Sequence, residues 1–426
     1  MKNLYNFILG ILLILFFVGC GKSKFPEWDY KAERENITLV SDDQMLDIDA
    51  EIFADATVSM SGFSTDPNSR YNKFIDDLSS VVQTAFKSSK VKFFRFGANS
   101  TEIAEAKFLE AKKPSFYSES LTNIDEVIKQ TKKTKISIVL TDLFQDQKNL
   151  IAVVTNLKTS CLEKGLSLAI LGIASEFDGK VYDANVAPFD YKTTEKSPAT
   201  FRPFYAFMIG SDVHLEKFYK NLAGKNPGYK DNFILITNKY VSNFEVVVDK
   251  DKESKGLKKK RSDDNDPFNS SHFWVMSTPS QKFNLVWKLQ FPGYVPPLNS
   301  ENIKFVVKKQ VYDPKSESYS KEEDTKDLQI KVTDGTPGSK ITSAVVTSES
   351  ISKGTSGYKI FMEVDPDTRV SLPKWVTNFS SDDPSPSRGP NKTLNLEKFV
   401  SDLIKASWVL GQPKLGVAFL TINVEK

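Results

Sequence analysis

Two regimes of hydrophobic patterning divide the chain. Across residues 46–55, alternating apolar and polar positions give way to a continuous apolar run, the pattern of a strand entering a buried parallel sheet. Tyr71, Phe74, Ile75, Leu78, Val81, Val82, Ala85 and Phe86 then recur at helical spacing on one face, with Pro67 near the helix start. Strands are expected over 91–96 and 102–108, and a helix over 122–130 with Thr122 as its N-cap and Asp125 three residues on. A buried strand over 136–141, a helix over 147–164, strands over 166–173 and 204–209 and a helix over 213–223 complete the series. Strands alternating with helices predict an α/β fold with a doubly wound, mostly parallel sheet.

The stretch 179–202 between the last two of those strands is longer than an ordinary connection. It leaves the carboxyl end of its strand, where an insertion serves either as a recognition surface or as an unstructured loop.

After about residue 240 the pattern changes. Strand-like runs at 244–248, 272–276, 283–291, 303–311, 328–332, 341–346 and 358–364 are separated by turn-rich segments without helices, which predicts a β-sandwich. Leu396, Phe399, Val400, Leu403, Ile404 and Ser407 then mark one amphipathic helix before a final strand at 415–424. That helix is expected to cap the open end of the sandwich. The expected domains are therefore an α/β unit at 45–238 and a β-rich unit at 239–426.

The amino terminus stands apart. Lys2, an apolar run over 7–18, and Gly19 before Cys20 follow the charged, apolar and small-residue order of a secretory signal. The run is short for a membrane span. Phe17-Val18-Gly19-Cys20 resembles a bacterial lipobox, which implies a signal peptide over 1–20, lipidation of Cys20, and a polar tether over 21–44. The expected location is then lipid-anchored and extracytoplasmic, on a cell membrane or an outer membrane.

Composition narrows the chemistry. In 426 residues, 57 basic side chains nearly balance 54 acidic ones, so bulk charge gives no support to nucleic-acid binding. The dense basic run Lys258-Lys259-Lys260-Arg261 is followed at once by Asp263, Asp264 and Asp266, which fits a self-neutralising hairpin loop. Besides Cys20 there is only Cys161, so with Cys20 lipidated no intramolecular disulfide forms. The two histidines, His214 in a predicted helix and His272 in a predicted strand, lie outside the segments described next, and a Ser-His-Asp triad or a zinc site has little support. There is no glycine-rich phosphate loop of the P-loop type.

Three segments carry oxygen chemistry. In Asp55-Ala56-Thr57-Val58-Ser59 an oxygen-bearing side chain recurs at every second residue as the chain leaves a buried strand, Thr122 opens a helix, and Asp142 ends a central strand. Each alone is as readily a cap or turn residue. Together they would gather at the carboxyl edge of a parallel sheet, where open α/β sheets bind ligands. Hydroxyls with one or two carboxylates are a donor set for Mg2+. FADATVSMSG resembles the DxSxS motif of von Willebrand factor A domains, LTNIDEVI their threonine loop and IVLTDL their TDG segment, over roughly residues 46–237. The resemblance implies a metal-ion-dependent adhesion site in which Asp55, Thr57, Ser59, Thr122 and Asp142 bind Mg2+ or Mn2+, with Ca2+ as a further candidate. It also implies an open coordination position filled by a carboxylate of an extracytoplasmic protein partner. Thr57 stands where the family has serine, and Leu143 where it has glycine. The alternatives are a metal-dependent hydrolase and a structural envelope-assembly component with a vestigial site.

Overall fold

The computed structural model of the chain describes residues 46–424 apart from 88–89, 144–146, 183–186, 195–196, 238–244, 249–256, 261–270, 276–282, 291–295, 297–300, 302, 334–340, 349–353, 366–368, 384–388 and 412–413. The signal segment with Cys20, the tether, and Arg261 with Asp263, Asp264 and Asp266 therefore lie outside the described residues. Among the described residues no helix is long and apolar enough to cross a membrane.

The first half runs β1 (Asp49–Asp55), α1 (Arg70–Ala85), β2 (Val91–Phe96), β3 (Ser100–Ile103), α2 (Glu105–Phe108), α3 (Ile124–Gln130), β4 (Lys135–Thr141), α4 (Gln147–Ser160), β5 (Ser167–Ser175), β6 (Asp178–Val181), β7 (Phe189–Lys192), β8 (Arg202–Gly210), α5 (Asp212–Lys225) and β9 (Phe233–Ile236). Seven of these strands form one mixed sheet in the order β3-β2-β1-β4-β8-β5-β9. Parallel pairing joins β2, β1 and β4 at its centre. β8 then inserts antiparallel between β4 and β5, so that β1, β2, β4 and β5 share one direction. β3 and β9 close the edges antiparallel. Where sequence periodicity suggests a strand over 102–108, the chain pairs only through Ile103 and then turns into α2. The Glu105 carboxylate there accepts from Ser79 and Gln83 of α1, and the Phe108 ring packs tilted against Phe93, which fixes a helical turn in place of a longer strand.

Both faces of the sheet are buried, as the unbroken apolar strands require. One face packs on α1 and α5 through Phe74, Leu78, Val82, Leu215, Phe218 and Leu222. Alternate strand residues Phe53, Val139, Ile170 and Phe207 face the other way, toward Val127 of α3 and Leu157 of α4. Ser69 caps α1 by accepting the Asn72 N–H, and α4 gives way to a last turn closed by Gly165 at φ +73°.

The second half contains β10 (Glu245–Val248), β11 (Leu257–Lys260), β12 (Ser271–Val275), β13 (Phe283–Gln290), β14 (Ile303–Asp313), β15 (Ser318–Tyr319), β16 (Glu323–Asp324), β17 (Leu328–Thr333), β18 (Ile341–Ser348), β19 (Gly354–Val364), α6 (Lys374–Phe379), β20 (Ser380–Ser381), β21 (Thr393–Leu394), α7 (Leu396–Gly411) and β22 (Lys414–Val424). An antiparallel sheet has the order β10-β13-β18-β17, and a second has β11-β12-β22-β19-β14-β15 with β16 also on β14. Within the second sheet β12 and β22 pair in parallel. The basic run expected in a hairpin loop supplies Lys258, Lys259 and Lys260 to β11, the edge strand of that sheet.

α7 does not cap the end of a sandwich. Phe399, Val400, Leu403 and Ile404 are buried in the cluster that holds Phe207 and Ile209 of β8 and Leu157 of α4, and the same cluster includes Tyr358, Ile360 and Leu420 of the second half. The Phe207 and Phe399 ring centroids are 6.2 Å apart. α7 thus occupies the helix layer over the β8 side of the first sheet, and α6 joins it with Trp375 against Gly172 of β5.

Candidate metal centre

The three oxygen-bearing segments meet at the carboxyl edge of β1 and β4. Asp55 ends β1 and is fully buried. The chain beyond it is clamped, because the Ala56 N–H donates to the Phe96 carbonyl at the end of β2, and Val58 N–H donates to Glu119 O. Ser118 and Glu119 N–H groups return to the Ala56 carbonyl. Arg95 holds this second loop by bonding the Glu119 carboxylate at 2.6 Å and the Ser118 hydroxyl. The approach needs a glycine at 97, where a Cβ would lie 2.5 Å from Glu119 Cγ.

Within that frame the Asp55 carboxylate is saturated with donors. Oδ1 accepts the Thr57 N–H at 3.0 Å and the Thr57 hydroxyl at 2.7 Å. Oδ2 accepts the Thr122 hydroxyl at 3.0 Å and the Thr141 hydroxyl at 2.9 Å. Ser59 Oγ lies 3.1 Å from Thr57 Oγ1, and Thr122 Oγ1 lies 3.3 Å from it. Four of the five candidate residues therefore form one hydrogen-bonded cluster. Asp142, the fifth, is buried beside it and acts on Asp55 through its charge. Thr122 is not a helix cap: Asn123 holds that position in α3, and the Thr122 hydroxyl is turned to Asp55.

Burial, followed by the Asp142 charge, pushes the Asp55 carboxyl up to about 6, against the opposing pull of the Thr57 and Thr141 hydrogen bonds. Two buried carboxyls with adjacent hydroxyls thus form a pocket that favours positive charge, and this is the donor chemistry of a hard divalent cation. Among the described residues no three His, Cys, Asp or Glu side chains gather, so the set is one of two carboxylates and three hydroxyls. Asp55, Asp142, Thr57, Ser59 and Thr122 could hold such an ion. His214 does not join them: it bonds Ser211 at the start of α5, at the opposite edge of the sheet.

The folded value of Asp55 lies above the ordinary 3.8, so the metal-free folded protein holds this proton more tightly than the unfolded chain does. Its contribution to stability is present below about pH 4 and is lost as pH rises through about 6. Relative to Asp55→Asn, the unmutated protein in EDTA is expected to lose ~3 kcal/mol across that window, at ~1.4 kcal/mol per unit. Denaturant unfolding at several pH values measures the difference, and a difference that stays flat with pH contradicts the assignment.

The position after Asp142 carries backbone strain. Leu143 sits at φ +50°, in the left-handed region that favours glycine. Its side chain is buried in the core under α3 and α4, which offsets that cost. Its N–H donates to Thr141 Oγ1 at 3.2 Å. Thr141 is the site residue that sequence reasoning missed, because a threonine inside a strand has the ordinary β-branched pattern.

The insertion stands beside the centre. Its described residues form the β6–β7 hairpin and a turn at Pro198–Thr200. Phe177 at its root packs edge-on to Phe63, just after the Thr57 and Ser59 segment. A Cβ on Gly62 would lie 2.5 Å from the Phe177 ring, so glycine permits the seat. Beyond the hairpin, Asn391 donates to the Ala199 carbonyl in the turn, and the Tyr205 hydroxyl of β8 donates to Thr393. No family model and no curated protein matches the chain.

Proposed function

We propose that the chain is a membrane-anchored, extracytoplasmic protein-binding module of the von Willebrand factor A type. In this reading Asp55, Thr57, Ser59, Thr122 and Asp142 hold Mg2+ or Mn2+, and the ion takes a carboxylate of a protein partner at its remaining position. The observation that carries it is the convergence on one buried carboxylate of hydroxyls from three chain segments, with a second carboxylate beside it. The half-buried Ser59 and Thr122 form the accessible side, with exposed Leu121 next to them. The flanking hairpin broadens that side into a surface of the kind a protein partner contacts. Lipidation at Cys20 would tether this face outside the cytoplasm.

The test is capture from envelope extract on the immobilised chain lacking residues 1–20. A partner is expected to be retained in Mg2+, released by chelator, and lost with Asp55→Ala. Retention indifferent to chelator and to the substitution would rule the reading out. Turnover of small ester or phosphate substrates, lost in the same variant, would move the assignment to a hydrolase.

A further inference from the structure

We propose that Thr141 is a positioning residue of the metal centre that orients the Asp55 carboxylate and fixes the turn following Asp142, an inference that rests on the metal reading above. Three hydroxyl or amide groups besides Thr141 donate to Asp55, and all belong to Thr57 and Thr122, which the metal reading assigns as ligands. Thr141 is the donor outside that set. Its hydroxyl lies on β4, buried, and donates to Asp55 Oδ2 at 2.9 Å. The same oxygen accepts the Leu143 N–H at 3.2 Å.

A hydroxyl has one proton to give and lone pairs to receive, so one side chain fixes two things at once. Its donated bond sets the rotation of the Asp55 carboxylate. Its accepted bond holds the left-handed turn at Leu143, φ +50°, and the backbone of Asp142 is pinned between the two residues. Thr57 and Thr122 would share their oxygens with an ion, whereas Thr141, outside that set, would be left to keep both of its bonds. Partners of this kind behind metal ligands typically contribute about 10- to 100-fold in metal affinity.

The experiment is a Mn2+ titration of the full chain, following free Mn2+ by electron paramagnetic resonance, on the unmutated protein, Thr141→Val and Thr141→Ser. Valine matches threonine in shape and lacks the hydroxyl, and it is expected to weaken Mn2+ binding by about tenfold or more. Serine retains the hydroxyl and is expected to restore most of the affinity, which a merely space-filling role would not do. If Thr141→Val is not folded by circular dichroism, Thr141→Ala carries the same comparison. A folded hydroxyl-free variant that binds Mn2+ as tightly as the unmutated chain overturns the role of Thr141 alone. An unmutated chain that binds no Mn2+ overturns the metal reading and this role with it.

Discussion

Truncation after residue 238 is expected to abolish cooperative unfolding of the α/β region, although the sequence pattern places a domain boundary there. α7 covers the β8 side of the sheet with Phe399, Val400, Leu403 and Ile404, each fully or almost fully buried. Burial of a large apolar side chain is worth about 1.5–3 kcal/mol, so baring this face costs an amount comparable to the whole net stability of a domain, about 5–15 kcal/mol. Tyr205, which donates to Thr393, and Arg202, which donates to the Pro390 carbonyl, would lose those partners too. Urea unfolding of residues 45–238, followed by circular dichroism and an apolar dye, is expected to show a broad, dye-binding transition. A sharp transition matching the full chain would contradict this placement of α7. A gentler version is Phe399→Ala, with an expected loss of about 3–5 kcal/mol.

Asp142→Asn is expected to separate stability from metal response. Asp142 is one of the two influences that raise the Asp55 carboxyl, so removing its charge relieves repulsion between buried groups. The metal-free variant should melt at or above the unmutated temperature. Its response to Mg2+ or Mn2+ should shrink sharply, because one of the two carboxylates that would neutralise the ion is gone. Differential scanning calorimetry with EDTA and with excess metal measures both. An undiminished metal shift would remove Asp142 from the ligand set.

The clustering of the candidate residues was more legible in the sequence than the wider fold, for physical reasons that differ by element. Asp55, Thr57 and Ser59 could be read because they follow one another closely where the chain leaves β1 and turns at once into a 3-10 helix, Val58–Ser64, and Asp142 because it directly follows an apolar strand. The face of α1 follows from periodicity alone. The antiparallel insertion of β8 between β4 and β5 was not legible, since β8 is buried along its whole length and carries no alternation to mark its direction. The docking of α7 on β8 joins residues far apart in sequence, such as Phe207 and Phe399, and local pattern holds no record of which apolar face an amphipathic helix meets. The same limit applies to Thr141, whose role depends on where β1 brings Asp55.

The most direct measurement is the thermal midpoint of the chain lacking residues 1–20, in EDTA and in increasing Mg2+ or Mn2+. An ion that binds only the folded protein stabilises it by about 2.7 kcal/mol at a hundredfold excess over its dissociation constant. The midpoint is expected to rise with metal concentration, and Asp55→Ala should remove the rise while leaving a folded protein. A midpoint that does not respond to either ion in the unmutated chain would contradict a metal centre at Asp55 and Asp142.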